Sequence, residues 1–156
     1  MSPEFAEAMM IPDPEQRMRR TVELTFGEKF RRSNPEMMEL ILTATASGAV
    51  GVTPIGAAPS ASAGFFGQVM AVTGWMGAGG AASRLGEIKA PTLVLHGGED
   101  LLLPVGNAEV LARDIPGARL RAWDEAGHAL NAECADEVNA ELVSHLQLEA
   151  APTAHP

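Results

Sequence analysis

Two side chains suited to acid–base chemistry each follow a short segment with a strand-like sequence in the second half of the chain. Asp100 follows the run Thr92–His96, and His128 follows the segment Arg119–Trp123. A carboxylate that holds a histidine in one tautomer lets the imidazole take a proton from a nucleophile and later return it. An acid and then a histidine, each placed after a strand, are the last two members of a nucleophile–acid–histidine triad. Asp100 and His128 are therefore the candidate catalytic residues.

Each of these residues also has a simpler interpretation. An aspartate in a turn is often there only because its side chain favours turns, and Glu99 beside Asp100 is an alternative acid. A single histidine after a strand is commonly a polar side chain with satisfied hydrogen bonds. The two residues occur together, however, with flanking glycines and the same strand context. This combination favours the catalytic interpretation.

The surrounding residues predict a βαβα unit that would position the pair. Thr92–His96 and Arg119–Trp123 are expected to be strands, and the helix between them is expected to take Asn107 as its N-cap. The expected buried positions of the two helices of this unit are Ala108, Leu111, Ala112 and Ile115, then Val138, Leu142, Val143 and Leu146 within Ala135–Leu148. Such a crossover joins parallel strands, whose carboxyl ends meet at one edge of the sheet. Asp100 and His128 should therefore lie within hydrogen-bond distance.

The first half of the chain predicts helices separated by proline and glycine. Asp13 and Asn34 are each followed by a proline, which places an N-cap residue before a proline at the first helical position. A further helix is predicted over Phe65–Trp75, and a short helical turn over Ala82–Leu85 leads into the first strand. The small-residue segment Ser47–Gly64 is expected to be mostly loop.

The motifs around the pair resemble those of a known family. The run Pro91–Gly97, then Asp100 and Pro104, and finally Ala126–His128 are similar to the acid and histidine motifs of the α/β-hydrolases. The upstream segment resembles the helical cap of the group that contains 3-oxoadipate enol-lactonases and small esterases. The resemblance implies a partial α/β-hydrolase fold, in which a helical cap region is followed by a βαβα unit with two parallel strands.

The resemblance also implies a division of the chain and a reaction. Residues 1–83 would be a cap-like region, residues 84–148 the C-terminal part of the hydrolase core, and residues 149–156 a disordered tail. In the complete enzyme Asp100 would orient His128, which would act as general base and then acid toward a serine. The substrate would be a small ester or lactone, and no metal or organic cofactor is implied.

A nucleophile is harder to find. A nucleophile elbow is a G-x-S-x-G turn between a strand and a helix, and the nearest match is Ser60–Gly64, with Ser62 at its centre. This match lacks the first glycine, and Pro59 disfavours a buried strand before it. We therefore expect a truncated, C-terminal fragment of a hydrolase that is inactive or depends on a missing N-terminal part. The alternative is a non-catalytic interaction or oligomerisation protein derived from a hydrolase remnant.

Composition and charge argue against some classes of binding partner and cellular setting. The formal net charge of −9 argues against nucleic acid, and the stretch Ala44–Ala58 is too interrupted by polar residues, glycine and proline to span a membrane. Cys134 is the single cysteine, which excludes an internal disulfide and suits a reducing cytoplasm. Two strands offer too little sheet to cover themselves, so we expect a homo-oligomer or an N-terminal partner chain.

Overall fold

The computed structural model describes residues 2–47 and 63–149 as a series of helices interrupted by two strands. The first group of helices forms the helical region. It comprises α1 (Pro3–Met9), α2 (Pro14–Thr25), α3 (Glu28–Ser33), α4 (Pro35–Ala46) and α5 (Ala63–Gly77). A 3₁₀ helix (Ala82–Glu87) then leads into β1 (Leu93–Gly97), α6 (Gly106–Asp114), β2 (Arg119–Trp123), α7 (Leu130–Glu133) and α8 (Ala135–Glu149). The predicted partial fold, a helical region followed by a βαβα unit, is confirmed.

The predicted side-chain cap is present at the start of α2 and absent at the start of α4. Asp13 caps α2, because its Oδ1 accepts a hydrogen bond from the Gln16 N–H at 2.7 Å. Asn34 precedes α4, but its side chain makes no cap to that helix and donates instead to the Phe30 carbonyl at 3.0 Å. Asn34 therefore closes α3 with its side chain, a role that its position before a proline does not indicate.

The two strands are parallel neighbours. Leu93 pairs with Arg119 and Gly97 pairs with Trp123, so the strands begin and end together. The first strand starts one residue later than predicted and extends through Gly97. The expectation that Asn107 caps α6 is wrong: the Asn107 N–H donates to the Pro104 carbonyl at 2.9 Å, so a turn beginning at Pro104 starts the helix at Gly106.

A buried apolar cluster joins the N-terminal helices to the loop after β1. Its fully buried members are Phe5, Ala8 and Leu24, and its partly buried members are Met9, Ile11, Leu101 and Leu102. The Ser2 N–H also donates to the Leu101 carbonyl at 2.8 Å. The start of the chain is thus packed against the segment that follows Asp100, a contact between residues about a hundred positions apart in the sequence.

The last helix is much more exposed than predicted. Val138 is buried, but Leu142, Val143 and Leu146 are 42%, 51% and 65% exposed. Within the described residues only β1 and β2 form a sheet, and two strands do not reach the apolar face of α8. In α6, likewise, Ala108 and Ile115 are buried while Leu111 is exposed.

Two predicted segments fall largely outside the described residues. They are the loop Ser47–Gly64, of which residues 48–62 are not described, and the tail over residues 149–156, of which residues 150–156 are not described. Among the helices that are described, none combines the length and the apolar character that a membrane span requires.

Candidate active site

The two candidate catalytic residues are in direct contact. His128 Nδ1 lies 2.8 Å from Asp100 Oδ2, the distance of a charge-assisted hydrogen bond. A carboxylate oxygen accepts, so Nδ1–H is the donor, and the second ring nitrogen, Nε2, is the one that can exchange a proton with a substrate or nucleophile. Parallel pairing of β1 with β2 produces this contact, because it brings the loops after both strands to one edge of the sheet.

Asp100 is held on both of its oxygens. Its Oδ1 accepts from the backbone N–H groups of Leu102 and Leu103 at 2.9 and 2.8 Å, which leaves Oδ2 to face His128. The residue is only 7% exposed. A buried carboxylate with this many donors has a fixed orientation, as an acid that must direct an imidazole requires.

A second histidine, which the sequence did not single out, approaches the same carboxylate. His96 Nε2 lies 3.8 Å from Asp100 Oδ2, while its Nδ1–H donates to the Gly97 carbonyl at 2.8 Å. The His96 side chain is largely buried near the end of β1, and its ring lies beside the Asp100 carboxylate. His96 lies four positions before Asp100, with the end of β1 and a turn between them. Because the shape of that turn decides whether the two side chains meet, the spacing alone does not predict their contact.

Glu99, the alternative acid, has another partner. Its Oε2 accepts from the backbone N–H of Glu28 at 2.7 Å, at the start of α3. Glu99 therefore contacts the helical region, whereas Asp100 contacts the histidine. The structure brings together Asp100 and His128 and separates Glu99 from them.

The loops after the strands are packed backbone against backbone. The Gly98 N–H donates to the Trp123 carbonyl at 2.7 Å, and the Glu99 N–H donates to the Ala126 carbonyl at 2.9 Å. A Cβ on Gly98 would lie 2.7 Å from the Asp124 carbonyl oxygen, and one on Gly97 would overlap the Ala126 and Gly127 carbonyls. The glycines beside the acid are thus required by the close approach of residues 124–129, the histidine loop, which follows β2 and carries His128.

The helical region contacts the histidine loop through three polar links. Glu133 accepts hydrogen bonds from the N–H groups of Gly127 and Gly27, the Ala129 N–H donates to the Thr25 carbonyl, and Lys29 pairs with Glu125 at 2.6 Å. Burial raises the pKa of Glu133 above its ordinary value, against the opposing effect of its two backbone donors. Nothing in the sequence points to Glu133, because Gly27 lies 106 positions away from it.

Cys134, Ser62 and possible metal-binding side chains are the other candidate reactive groups. Burial, followed by the nearby carboxylates Glu137 and Glu133, raises the pKa of the Cys134 thiol, so this cysteine stays protonated rather than becoming a nucleophile. Ser62 lies outside the described residues. Over residues 2–47 and 63–149, no group of three His, Cys, Asp or Glu side chains is arranged to hold a metal ion.

A groove of about 620 Å³ lies beside the site rather than in it. Its lining comes from α3, the end of β2 and the α7–α8 junction, and includes Phe30, Arg121, Trp123 and Glu133. Asp100 and His128 do not line this groove. The Trp123 indole N–H is buried and has no hydrogen-bond partner in the part of the chain that the structure describes.

Known proteins similar to this chain include an esterase and a hydrolase of a dienoate. The pimeloyl-[acyl-carrier protein] methyl ester esterase of Aromatoleum aromaticum is 37% identical over 62 residues, which are 40% of this chain and 22% of that protein. The 2-hydroxy-6-oxo-6-phenylhexa-2,4-dienoate hydrolase of Comamonas testosteroni is 41% identical over 64 residues, 41% of this chain and 22% of that protein. No family model matches the chain.

A solved structure extends the likeness to most of the chain. The enzyme Est816, described as degrading N-acyl homoserine lactones, aligns with a TM-score of 0.62 and 29% identity. The alignment covers 92% of this chain and 51% of Est816. This chain therefore spans about half the length of that neighbour and about a fifth of the length of the curated relatives.

Proposed function

The chain corresponds to the C-terminal portion of an α/β-hydrolase, and from that premise we propose that it carries the acid and the base of a serine-type catalytic triad. In this proposal Asp100 and His128 serve the hydrolysis of a small carboxylic ester or lactone. The observation that carries it is the 2.8 Å contact between Asp100 Oδ2 and His128 Nδ1 at the carboxyl ends of two parallel strands.

The proposed chemistry uses each atom of the pair. Asp100 keeps the proton of neutral His128 on Nδ1, so that Nε2 carries the lone pair. Nε2 takes the proton of a serine hydroxyl while the serine oxygen bonds to the carbonyl carbon, and it returns that proton to the departing alcohol oxygen. Water then attacks the acyl-serine, giving its proton to Nε2, which passes it back to the serine. In a lactone the departing alcohol remains attached to the acid that is released.

The serine and the oxyanion-hole donors would come from outside the described residues. Partial coverage of the relatives supports this, because the chain spans 51% of Est816. A single oxyanion donor is worth about 2.7–4 kcal/mol of transition-state stabilisation, so a chain without donors and nucleophile should show no meaningful esterase activity. Asp100 and His128 alone would be two members of a triad without the group that attacks.

The coding DNA and an activity assay test this proposal. A strand–G-x-S-x-G–helix sequence should be encoded upstream, and the chain produced together with it should hydrolyse a short-chain nitrophenyl ester. In that enzyme Asp100→Asn should lower kcat by about 10⁴-fold, and His128→Ala should lower it at least as much. Asp124→Asn is the matched control, because Asp124 is an exposed acid just after β2. Turnover by the isolated chain that is abolished by Ser62→Ala and by His128→Ala would contradict the proposal.

A second candidate function is association without catalysis. The observation that favours it is the exposed apolar face of α8, formed by Leu142, Val143 and Leu146. A hydrolase remnant with this face could serve only to bind itself or another protein. The same DNA separates the two candidates: a promoter directly before this reading frame, with no elbow encoded nearby, would favour the remnant.

A further inference from the structure

Glu133, which the proposed triad does not use, connects the histidine loop to the helical region. Both of its carboxylate oxygens accept from the Gly127 N–H, at 3.0 and 3.1 Å, and Oε2 also accepts from the Gly27 N–H at 2.9 Å. Gly127 is the residue immediately before His128, and Gly27 immediately precedes α3. One half-buried side chain thus holds the backbone of two segments that are distant in the sequence.

The two segments also touch directly. A Cβ on Gly127 would lie 2.6 Å from the Gly27 nitrogen and 2.7 Å from the Thr25 carbonyl oxygen. On the other side of His128, the Ala129 N–H donates to the same Thr25 carbonyl at 3.2 Å. The backbone on both sides of His128 is therefore held against residues 25–27. Glu133 links Gly127 to Gly27 before the histidine, and the Thr25 carbonyl binds Ala129 after it.

We infer that Glu133 is a positioning residue, which sets the backbone of the His128 loop and so the direction from which the imidazole meets Asp100. The catalytic meaning of this role rests on the proposed function, whereas the contacts themselves do not. Hydrogen bonds to an ionised carboxylate are about twice as strong as those to a neutral acceptor. Loss of the negative charge should therefore loosen Gly127 and Gly27 together.

The surroundings of Glu133 make this link sensitive to pH. Burial raises its pKa most, and the negative charge of Glu99 raises it further, while the two backbone donors and the positive charge of Arg31 lower it. The Cys134 thiol, next in the chain, is also coupled to Glu133, whose negative charge helps to raise the pKa of that thiol. As the pH falls through the raised pKa, both backbone hydrogen bonds should weaken in one step.

Nuclear magnetic resonance of the full 156-residue chain tests the inference without any activity assay. The amide resonances of Gly27 and Gly127 should follow one common titration, with a midpoint above the ordinary glutamate value of 4.5. Glu133→Gln should abolish this titration. It should also speed the exchange of the His128 Nδ1 proton by at least about tenfold, because the Gly127 N–H loses its charged acceptor and the backbone next to His128 is then held less firmly against Asp100.

The matched control is Glu137→Gln, which neutralises an exposed glutamate four positions later in the chain, in the first turn of α8. It should leave the common titration and the proton exchange unchanged. The inference is overturned if the two amides titrate with separate midpoints, or if Glu133→Gln exchanges no faster than Glu137→Gln. The wild-type titration needs no variant, so it decides the question even if Glu133→Gln does not fold. An inactive complete enzyme would refute the proposed function and leave this result standing.

Discussion

At the scale of single residues, Asp100 is the group on which the site converges. One oxygen accepts two backbone N–H groups, and the other faces His128 at 2.8 Å and His96 at 3.8 Å. The backbone donors fix the carboxylate, and the fixed carboxylate selects the tautomer of His128. Structural and electrostatic roles are thus divided between the two oxygens of one side chain.

Asp100→Asn should therefore reverse the tautomer of His128. The asparagine oxygen can keep the N–H groups of Leu102 and Leu103, which turns its amide group toward His128 Nδ1. Because an amide NH₂ donates, Nδ1 must accept, and the proton of the neutral ring moves to Nε2. The ¹⁵N shifts of the imidazole measure this change, and Asp124→Asn is the control. Retention of the Nδ1–H tautomer in Asp100→Asn would show that the carboxylate does not set it.

Glu133 should also make the stability of the chain depend on pH. Its pKa is raised in the folded state because the cost of burying the charge exceeds the stabilisation from its two backbone donors. Although those two hydrogen bonds weaken on protonation, the folded chain therefore binds this proton more tightly than the unfolded chain. The stabilisation is complete below the unfolded pKa and is lost as the pH rises through the folded pKa. Glu133→Gln should flatten this part of the profile of unfolding free energy against pH, measured by urea denaturation. A profile with the same slope in Glu133→Gln and Glu137→Gln would contradict the assignment.

At the scale of elements, the position of α3 depends on two glycines. Gly27 precedes α3 and Gly127 lies in the histidine loop. A Cβ on Gly127 would lie 2.6 Å from the Gly27 nitrogen, and a Cβ on Gly27 would overlap the Glu125 carbonyl oxygen. Polar links add to this contact, from Glu133 to Gly27, from Glu99 to the Glu28 N–H, and from Lys29 to Glu125. The histidine loop and the helical region should therefore behave as one packed unit.

Gly127→Ala should separate these elements. The added methyl group would meet the backbone of Phe26 and Gly27, which cannot move as a flexible side chain could. Forcing a methyl group into close packing typically costs about 1–3 kcal/mol, and urea denaturation measures the loss. Gly106→Ala is the matched control, because nothing lies within 4 Å of a Cβ at the first residue of α6. Equal stability of the two variants would mean that this contact is absent in solution.

At the scale of the whole molecule, two helices outside the site expose large apolar side chains. Exposed large apolar side chains include Val72, Trp75 and Met76 on α5, and Leu142, Val143 and Leu146 on α8. The βαβα unit has, within the described residues, a two-stranded sheet with β1 paired on one side only. Burial of about 100 Å² of such surface would contribute about 2.5 kcal/mol, so the isolated chain should gain from association.

We therefore expect the pure chain to self-associate at micromolar concentration in sedimentation experiments. The double variant Leu142→Lys with Leu146→Lys should weaken this association, because two charges would have to be desolvated on the α8 face. Ser144→Lys with Gln147→Lys is the control, since it places the same charges on exposed polar positions of the same helix. A compact monomer at these concentrations would show that the exposed apolar face does not drive association.

Interactions between neighbouring residues allow several elements of this structure to be predicted from the sequence. Asp13 before Pro14 specifies the start of α2. The apolar run near residues 93–97 and the alternating segment at residues 119–123 specify two strands, because caps and strand patterns depend on neighbours in the chain. Asp100 and His128 followed from their order after those strands. Their contact required only that the strands be adjacent, which a short helical crossover favours.

Contacts between distant segments were decided only by the tertiary structure. The sequence could not distinguish Glu99 from Asp100 by spacing; packing of α3 against the histidine loop gives Glu99 the Glu28 N–H and leaves Asp100 for His128. It could not reveal Glu133, whose partner Gly27 is 106 residues away. It wrongly predicted burial for Leu142, Val143 and Leu146, because a helical stripe shows which face is apolar and not whether the sheet extends far enough to cover it.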